Sequence, residues 1–127
     1  MTYVSREYYG SLYGETAEDD FNRQLIGAEI RMDTATHGRV SAFMDSYDQK
    51  TATVFQKRVY RQIQKTACDL IHNMLVMEST GMGDGISSVS NDGYAESYKI
   101  TTAAEKETQL SRIIYEGLSG TGLVGAL

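Results

Sequence analysis

The 29 residues from Thr51 to Ser79 contain no glycine or proline, and they constrain the fold more than any other part of the chain. Their apolar residues recur every three or four positions, the spacing that lines one face of an α-helix. Gly81 and Gly83 follow as a stop signal. The pattern predicts one long helix that begins from a cap at Thr51 or Asp48. Its apolar face consists of Phe55, Val59, Ile63, Ala67, Leu70, Met74 and Met77.

The two halves of this predicted helix differ. The first half carries four basic residues on its polar side: Lys57, Arg58, Arg61 and Lys65. In the second half, apolar residues cover most of the circumference: Leu70, Ile71, Met74, Leu75, Val76 and Met77. A helix that is apolar nearly all round must be buried on several sides. We therefore expect a central helix whose C-terminal half is surrounded by the rest of the chain.

Size and composition are those of a globular protein. A chain of 127 residues with 41% hydrophobic and 23% charged residues corresponds to a single domain, residues 1–127, with an ordinary core. No apolar run is long enough to span a membrane, and the N-terminus lacks the pattern of a signal peptide. We expect a protein of the cytoplasm that does not associate with membranes.

No pattern of catalytic or metal-binding residues is found. Cys68 is the only cysteine and lies in the apolar half of the long helix, which favours a buried structural thiol. His72 is one turn away, but a metal site needs about four ligands and His37 is the only other histidine. The glycine-rich stretch 81–85 follows a helix and precedes a predicted strand, the wrong order for a phosphate-binding loop. We expect no enzyme, cofactor or metal.

Charge is distributed unevenly along the chain. The net charge of -5 argues against nucleic-acid binding as the main role, because that affinity comes largely from neutralising phosphates. Met1 to Ala35 carries seven acids and three arginines, whereas Lys50 to Lys65 carries five bases and no acid. These segments either attract each other within one subunit or form complementary patches on neighbouring subunits. The sequence leaves both interpretations open.

Two amphipathic helices are expected beside the long one. The first follows an approximate capping box at Thr16 and Asp19, ends near Thr34 to Thr36, and contains Gly27, which would permit close approach of another helix. The second opens with a capping box at 102–105 and ends near Leu118. Their apolar positions are Phe21, Leu25, Ala28, Met32 and Ala35 in the first, and Leu110, Ile113 and Ile114 in the second.

Two segments near the N-terminus are less regular. Residues 2–14 form an extended arm or a short helical turn whose tyrosines cover a hydrophobic surface. Residues 37–50 form either a loop or one short packed turn. The side chains that would pack are Tyr3, Tyr8, Tyr9 and Tyr13 in the arm, and Val40, Phe43, Met44 and Tyr47 in the turn.

A β-hairpin is expected between the long helix and the last one. Strands near 86–90 and 94–99 flank Asn91-Asp92-Gly93, a strong hairpin-turn signal. Tyr94, Glu96 and Tyr98 would share one face. A lone two-stranded hairpin is marginally stable in water, so it needs support from the helices or from a neighbouring subunit.

The C-terminal residues 119–127 form a glycine-rich tail without charges. Disordered tails are usually polar and charged. The apolar Leu123, Val124 and Leu127 therefore suggest a docking tail, which its glycines allow to be flexible. It would bind either its own domain or a partner.

These segments, taken in order, resemble the head–tail connector (adaptor) proteins of long-tailed bacteriophages. The resemblance covers nearly the whole chain and is carried mainly by Ala35 to Val40, the hairpin segment Ile86 to Tyr98, and Leu118 to Leu123. In the family the last segment commonly continues into an aromatic and a basic residue. Here it ends in Val124-Gly125-Ala126-Leu127.

The resemblance implies a mainly α protein, a small helical bundle around one long central helix with a single protruding β-hairpin. It also implies a structural virion protein, made in the bacterial host cytoplasm, that forms a ring of typically twelve copies at the head–tail junction. Its partners would be further copies of itself, the portal protein, and the tail or head-completion (stopper) protein. DNA would pass through the channel without specific binding.

On this interpretation Tyr94, Glu96 and Tyr98 make hairpin contacts, and Lys57 and Arg61 contribute to assembly. The leucines 118, 123 and 127 dock the tail or are buried within the subunit. The alternative function is a small helical nucleic-acid-binding regulator that uses the basic face of the long helix. The plainest interpretation of that charge is a basic face that is only exposed to solvent. The basic face consists of Lys57, Arg58, Arg61 and Lys65.

Overall fold

A computed structural model describes residues 2–80 and 103–124, and these residues fold into five α-helices without a strand. The mainly helical fold expected from the sequence is confirmed for this part of the chain. The hairpin segment, with Tyr94, Glu96 and Tyr98, lies outside the described residues. The helices are α1 (Arg6–Tyr13), α2 (Glu18–Ala35), α3 (Arg39–Ser46), α4 (Val54–Thr80) and α5 (Ala103–Gly117).

The long helix α4 is central, since α1, α2 and α5 all pack against it. Six of the seven residues predicted for its apolar face are buried, which confirms the periodicity from Val59 to Met77. The prediction is wrong for Phe55, which is 51% exposed. Phe55 lies in the first two turns, where the periodic pattern continues beyond the packed part of the helix. Its ring contacts the guanidinium of Arg58 instead, 5.4 Å from the ring centroid.

A capping box at Thr53 starts α4, not the predicted cap at Thr51 or Asp48. The Thr53 hydroxyl accepts a hydrogen bond from the Gln56 backbone N–H at 3.1 Å, and the Gln56 side chain accepts one from the Thr53 N–H at 2.9 Å. This reciprocal pair satisfies two backbone donors that the helix cannot satisfy internally. The Asp48 carboxylate accepts from the Lys50 N–H within the preceding loop.

The helix predicted from the spacing of Phe21, Leu25, Ala28 and Met32 is confirmed as α2, and all four are buried. Its predicted cap is wrong, because the N-cap residue is Ala17 and no side chain caps the helix. Three acids in the first turn of α2 stabilise its N-terminus instead, because their negative charges interact favourably with the helix dipole.

The helices α2 and α5 both run antiparallel to α4. On the α2 side, Arg23 pairs with Glu78 and Gly27 lies opposite Met74. On the α5 side, the Gln109 amide donates to the Asn73 side chain near one end, and Gly117 meets Thr66 near the other. Leu110 and Ile114 of α5 are buried as predicted, while the expected cap residue Thr102 lies outside the described part of the chain.

Close approach between helices occurs at Gly117, not at Gly27 as the sequence suggested. A methyl group on Gly27 would lie 4.0 Å from the Met74 side chain, an ordinary van der Waals contact. A methyl group on Gly117 would lie 2.2 Å from the Thr66 hydroxyl oxygen, which is a clash. Gly117 is therefore the position at which the backbone of α5 comes too close to the Thr66 side chain for any side chain of its own.

The Gly27→Ala variant is expected to be more stable than the wild type by up to about 1 kcal/mol, the helix-propensity difference between glycine and alanine. The added methyl group fits against Met74 without displacing it. Chemical denaturation followed by circular dichroism would measure the difference. A variant less stable than the wild type would show that α2 and α4 pack more tightly at this point than the 4.0 Å separation indicates.

Residues 37–50 contain both expected features: a short packed helix, α3, which buries Val40 and Met44, and a loop after Ser46. The turn before α3 has two consecutive residues with positive φ, His37 at 56° and Gly38 at 81°. The side chain of Asp33 holds this turn, accepting from the Ser41 N–H and the Tyr3 hydroxyl, both at 2.9 Å.

The ends of the described chain pack on its own core. Tyr3 and Tyr9 are buried, which agrees with the interpretation of the tyrosine-rich arm as cover for a hydrophobic surface. Leu118 and Leu123 are also buried, at 0% and 9% exposure, so the C-terminal segment up to Val124 docks on its own subunit. Leu127 lies beyond the described residues.

Candidate interaction surface

The first two turns of α4 form a surface of apolar and basic side chains, here called the basic end. Val54 is 86% exposed and Phe55 is 51% exposed, although both are large and apolar. Lys57, Arg58 and Arg61 are exposed beside them. The capping box at the preceding residue fixes the start of the helix, so these side chains project from a rigid element.

The positive charges of the basic end have no acidic partner in the described part of the subunit. Four ion pairs occur there: Arg23–Asp20, Arg23–Glu78, Arg31–Glu107 and Lys65–Asp69. None of them joins the basic segment 50–65 to an acid of residues 2–35. Attraction between these two segments within one subunit therefore receives no support from the described residues.

Lys65 differs from the other three bases of the basic face. Its ammonium contacts both oxygens of the Asp69 carboxylate, at 3.1 and 3.0 Å, one helical turn away. Asp69 also accepts the Tyr13 hydroxyl at 2.5 Å. Because Lys65 is neutralised locally, the free positive charge is confined to Lys57, Arg58 and Arg61.

An acidic surface, here called the acidic end, is formed by Leu12, Glu15, Glu18 and Asp19. All four residues are exposed, and the described residues offer no ion pair to these three carboxylates. The pair between Arg23 and Glu78, 2.6 Å between nitrogen and oxygen, places the start of α2 beside the C-terminal part of α4. The acidic end thus lies toward the opposite end of the long helix from the basic end.

A cluster of aromatic residues fastens α1 to α4. The Tyr13 ring stacks on His72 with centroids 4.0 Å apart, and the Tyr9 hydroxyl is 3.5 Å from Nδ1 of His72. Burial raises the pKa of Tyr13, and the hydrogen bond to the Asp69 carboxylate raises that pKa further. The imidazole is thus held between two tyrosines that keep their protons, which indicates a packing role for His72.

Cys68 is fully buried in this region, as the sequence predicted. Burial raises the pKa of its thiol to about 12, so the thiol remains protonated and unreactive at neutral pH. Within residues 2–80 and 103–124, no group of three or more His, Cys, Asp and Glu side chains is arranged to hold a metal ion.

A second apolar surface is an open groove of about 640 Å³ between α2 and α5. Ile30 and Tyr115 line it and are 60% and 48% exposed. Arg31 and Glu107, which also line the groove, form an ion pair with each other across it. Because these charges neutralise each other, they indicate no particular occupant.

Of the residues predicted to make contacts, only Lys57 and Arg61 lie on a described exposed surface. Leu118 and Leu123 belong to the core, while Tyr94, Glu96, Tyr98 and Leu127 are outside the described residues. The sequence analysis missed the contribution of Val54 and Phe55 to the basic end. No sequence signal marks Phe55 as exposed, because it is in register with the buried face of the helix.

Comparison with protein-family models, curated proteins and solved structures finds no match to this chain. Among the described helices, none has an apolar stretch long enough to cross a membrane.

Proposed function

We propose that this chain is a structural virion protein, the ring-forming adaptor that joins the portal of a long-tailed phage head to the tail or to the next head-completion protein. The proposal rests on the resemblance of the sequence segments, in their order along the chain, to that family. The mainly helical fold around one long helix agrees with the expected architecture.

The observation that best supports assembly is the basic end of α4. Two large apolar side chains, Val54 and Phe55, stay exposed among three bases that lack acidic partners in the described residues. Contiguous exposed apolar groups surrounded by polar ones are typical of protein–protein contacts. A subunit that assembles with other chains would cover this surface, whereas a permanent monomer gains nothing from it.

The segment between α4 and α5 would supply the protruding β-hairpin, with Tyr94, Glu96 and Tyr98 in contacts with neighbouring chains. Its turn signal Asn91-Asp92-Gly93 supports this assignment. The long helix α4 would then be the strut that carries the hairpin, since it ends at the residue before this segment. A ring would provide the outside support that an isolated hairpin lacks.

The net charge suits a channel for DNA. A subunit of charge -5 repels phosphates as a whole, so DNA could pass without sticking. The alternative function, a nucleic-acid-binding regulator, is weakened by the pairing of Lys65 with Asp69, which leaves three free bases on the face. A basic channel wall in the assembled ring would contradict the channel part of the proposal.

The double variant Lys57→Glu/Arg61→Glu is expected to fold normally and to bind phage heads at least about tenfold more weakly. Both side chains are exposed and unpaired with described residues, so reversing them removes no contact in the subunit. The measurement is co-sedimentation with tail-less heads of the phage whose genome encodes this chain. Circular dichroism would verify the fold.

Lys106→Glu/Arg112→Glu is the matched control, because it makes the same change of charge on α5, away from the basic end. It should bind heads like the wild type. If wild-type protein fails to bind tail-less heads, the adaptor function is wrong. If the control loses binding equally, net charge is responsible and the basic end has no specific role.

A further inference from the structure

The exposed apolar side chains of the basic end differ from scattered surface hydrophobic residues, which are common and need no explanation. Val54 and Phe55 are adjacent, lie on a capped helix, and are surrounded by positive charge alone on that helical face. An apolar centre with a charged rim is the anatomy of a protein interface. A phosphate backbone would need the charges but not the apolar centre.

The acidic end combines one exposed apolar side chain with charges of the opposite sign. Leu12 is 40% exposed, and Glu15, Glu18 and Asp19 follow it within seven residues. From Glu7 to Asp20 the chain carries five acids and no base, and the Arg6 guanidinium reaches this segment by donating to the Thr16 carbonyl oxygen at 3.0 Å. The two ends are therefore complementary in charge, and each exposes at least one apolar side chain.

The two ends cannot neutralise each other within one subunit. The acidic end lies alongside the part of α4 from Asp69 to Glu78, where Tyr13 and Arg23 make their contacts. At the helical rise of 1.5 Å per residue, that part is about 12 to 32 Å along the helix from the bases at 57–61. Charges in water are largely screened beyond about 8 Å at physiological salt. Neither end is therefore neutralised by the other among the described residues, and each can meet a second molecule.

We propose that the basic end of one copy docks on the acidic end of the next copy. Val54 and Phe55 pack against Leu12, and Lys57, Arg58 and Arg61 face the carboxylates of Glu15, Glu18 and Asp19. This contact deepens the proposed adaptor function by naming the surfaces through which copies meet, and it requires no third component. Because it joins two different surfaces, its repetition produces a ring or a filament.

A charge-swap experiment tests the pairing of the ends. Lys57→Glu/Arg61→Glu creates a subunit with two acidic ends, and Glu15→Lys/Asp19→Lys creates one with two basic ends. Sedimentation velocity in low-salt buffer should show self-association of the wild type that weakens as salt is added. Each variant alone should associate more than about tenfold more weakly. An equimolar mixture of the two should associate again, since their copies can alternate.

Four results would overturn the proposal. The wild type could stay monomeric at low salt, or a variant could self-associate as strongly as the wild type. The mixture could associate no better than its components. The basic end could also bind duplex DNA in a wild type that does not self-associate. Self-association restored only in the mixture supports head-to-tail docking, because nonspecific charge effects would not require both variants.

The variant Asp19→Lys removes a favourable first-turn acid and can lower the stability of α2. Variants that change no charge therefore provide a second test of the contact. Leu12→Ser and Phe55→Ser alter exposed side chains, so the fold should persist, and each should weaken association by about tenfold. Unchanged association in both would overturn the apolar part of the contact.

The adaptor function and this contact can fail separately. Binding to tail-less heads without recovery in the charge-swap mixture would support the function and reject the contact. Recovery in the mixture without binding to heads would support the contact and reject the function.

Discussion

The Leu70→Asp variant is expected not to fold. Leu70 is fully buried in the second half of α4, the helix against which α1, α2 and α5 pack. Loss of the leucine side chain alone would cost about 2–5 kcal/mol, and a buried carboxyl group without a designed partner adds several kcal/mol. Since small proteins are stable by only about 5–15 kcal/mol in total, the sum removes most or all of the stability.

Two measurements check the unfolding of Leu70→Asp. Helical circular dichroism should be largely lost, and Cys68 should react rapidly with a thiol reagent that does not reach it in the folded wild type. Cys68 is suited to this because it is fully buried and its pKa is raised to about 12 by that burial. In the unfolded chain both protections disappear.

Ile30→Asp is the matched control, because Ile30 is also a large aliphatic residue in a long helix but is 60% exposed. It should remain folded, and its Cys68 should remain protected. A folded Leu70→Asp protein would show that α4 is not the central strut of the subunit. Loss of folding in Ile30→Asp would show that the groove between α2 and α5 contributes to the core.

Hydrophobic periodicity predicted the helices well because burial imposes it. The spacing of Phe21, Leu25, Ala28 and Met32 could only mean one buried helical face, and α2 has that face. Caps were predicted less well. Thr16 and Thr51 both have suitable side chains, yet Ala17 and Thr53 take the positions, since a cap depends on where the preceding chain enters the helix.

The candidate surface was only partly accessible from the sequence. The charge of Lys57 and Arg61 could be read directly, whereas the exposure of Phe55 could not, because an apolar residue in register with a buried face looks like core. Likewise, the sequence showed that Leu118 and Leu123 were apolar but not what covered them. Tertiary packing decides such cases, and in this subunit it assigned Phe55 to the surface and both leucines to the core.

The Gly117→Ala variant is expected to lose about 2 kcal/mol of stability, within the range for overpacked cores. The new methyl group would lie 2.2 Å from Oγ1, 3.0 Å from Cγ2 and 3.1 Å from Cβ of Thr66. Rotation about χ1 of Thr66 cannot relieve the whole overlap, since it does not move Cβ, which would lie only 3.1 Å from the new methyl group. For a chain of this size the melting temperature should fall by roughly 8 °C. A normal melting temperature would show that α5 shifts without cost.

A comparison of second-site variants separates the steric cause from the polar one. The Thr66 hydroxyl is buried without a hydrogen-bond partner among the described residues, so a polar contribution has to be separated from the steric one. Combined with Gly117→Ala, Thr66→Ala removes two of the three clashing atoms and should recover at least about 1 kcal/mol as a coupling free energy. Thr66→Val removes the hydroxyl but keeps the branched shape, so it should recover nothing. Equal recovery of stability by Thr66→Ala and Thr66→Val would instead assign the cost of Gly117→Ala to the hydroxyl. The close approach of α4 and α5 would then not explain the glycine at position 117.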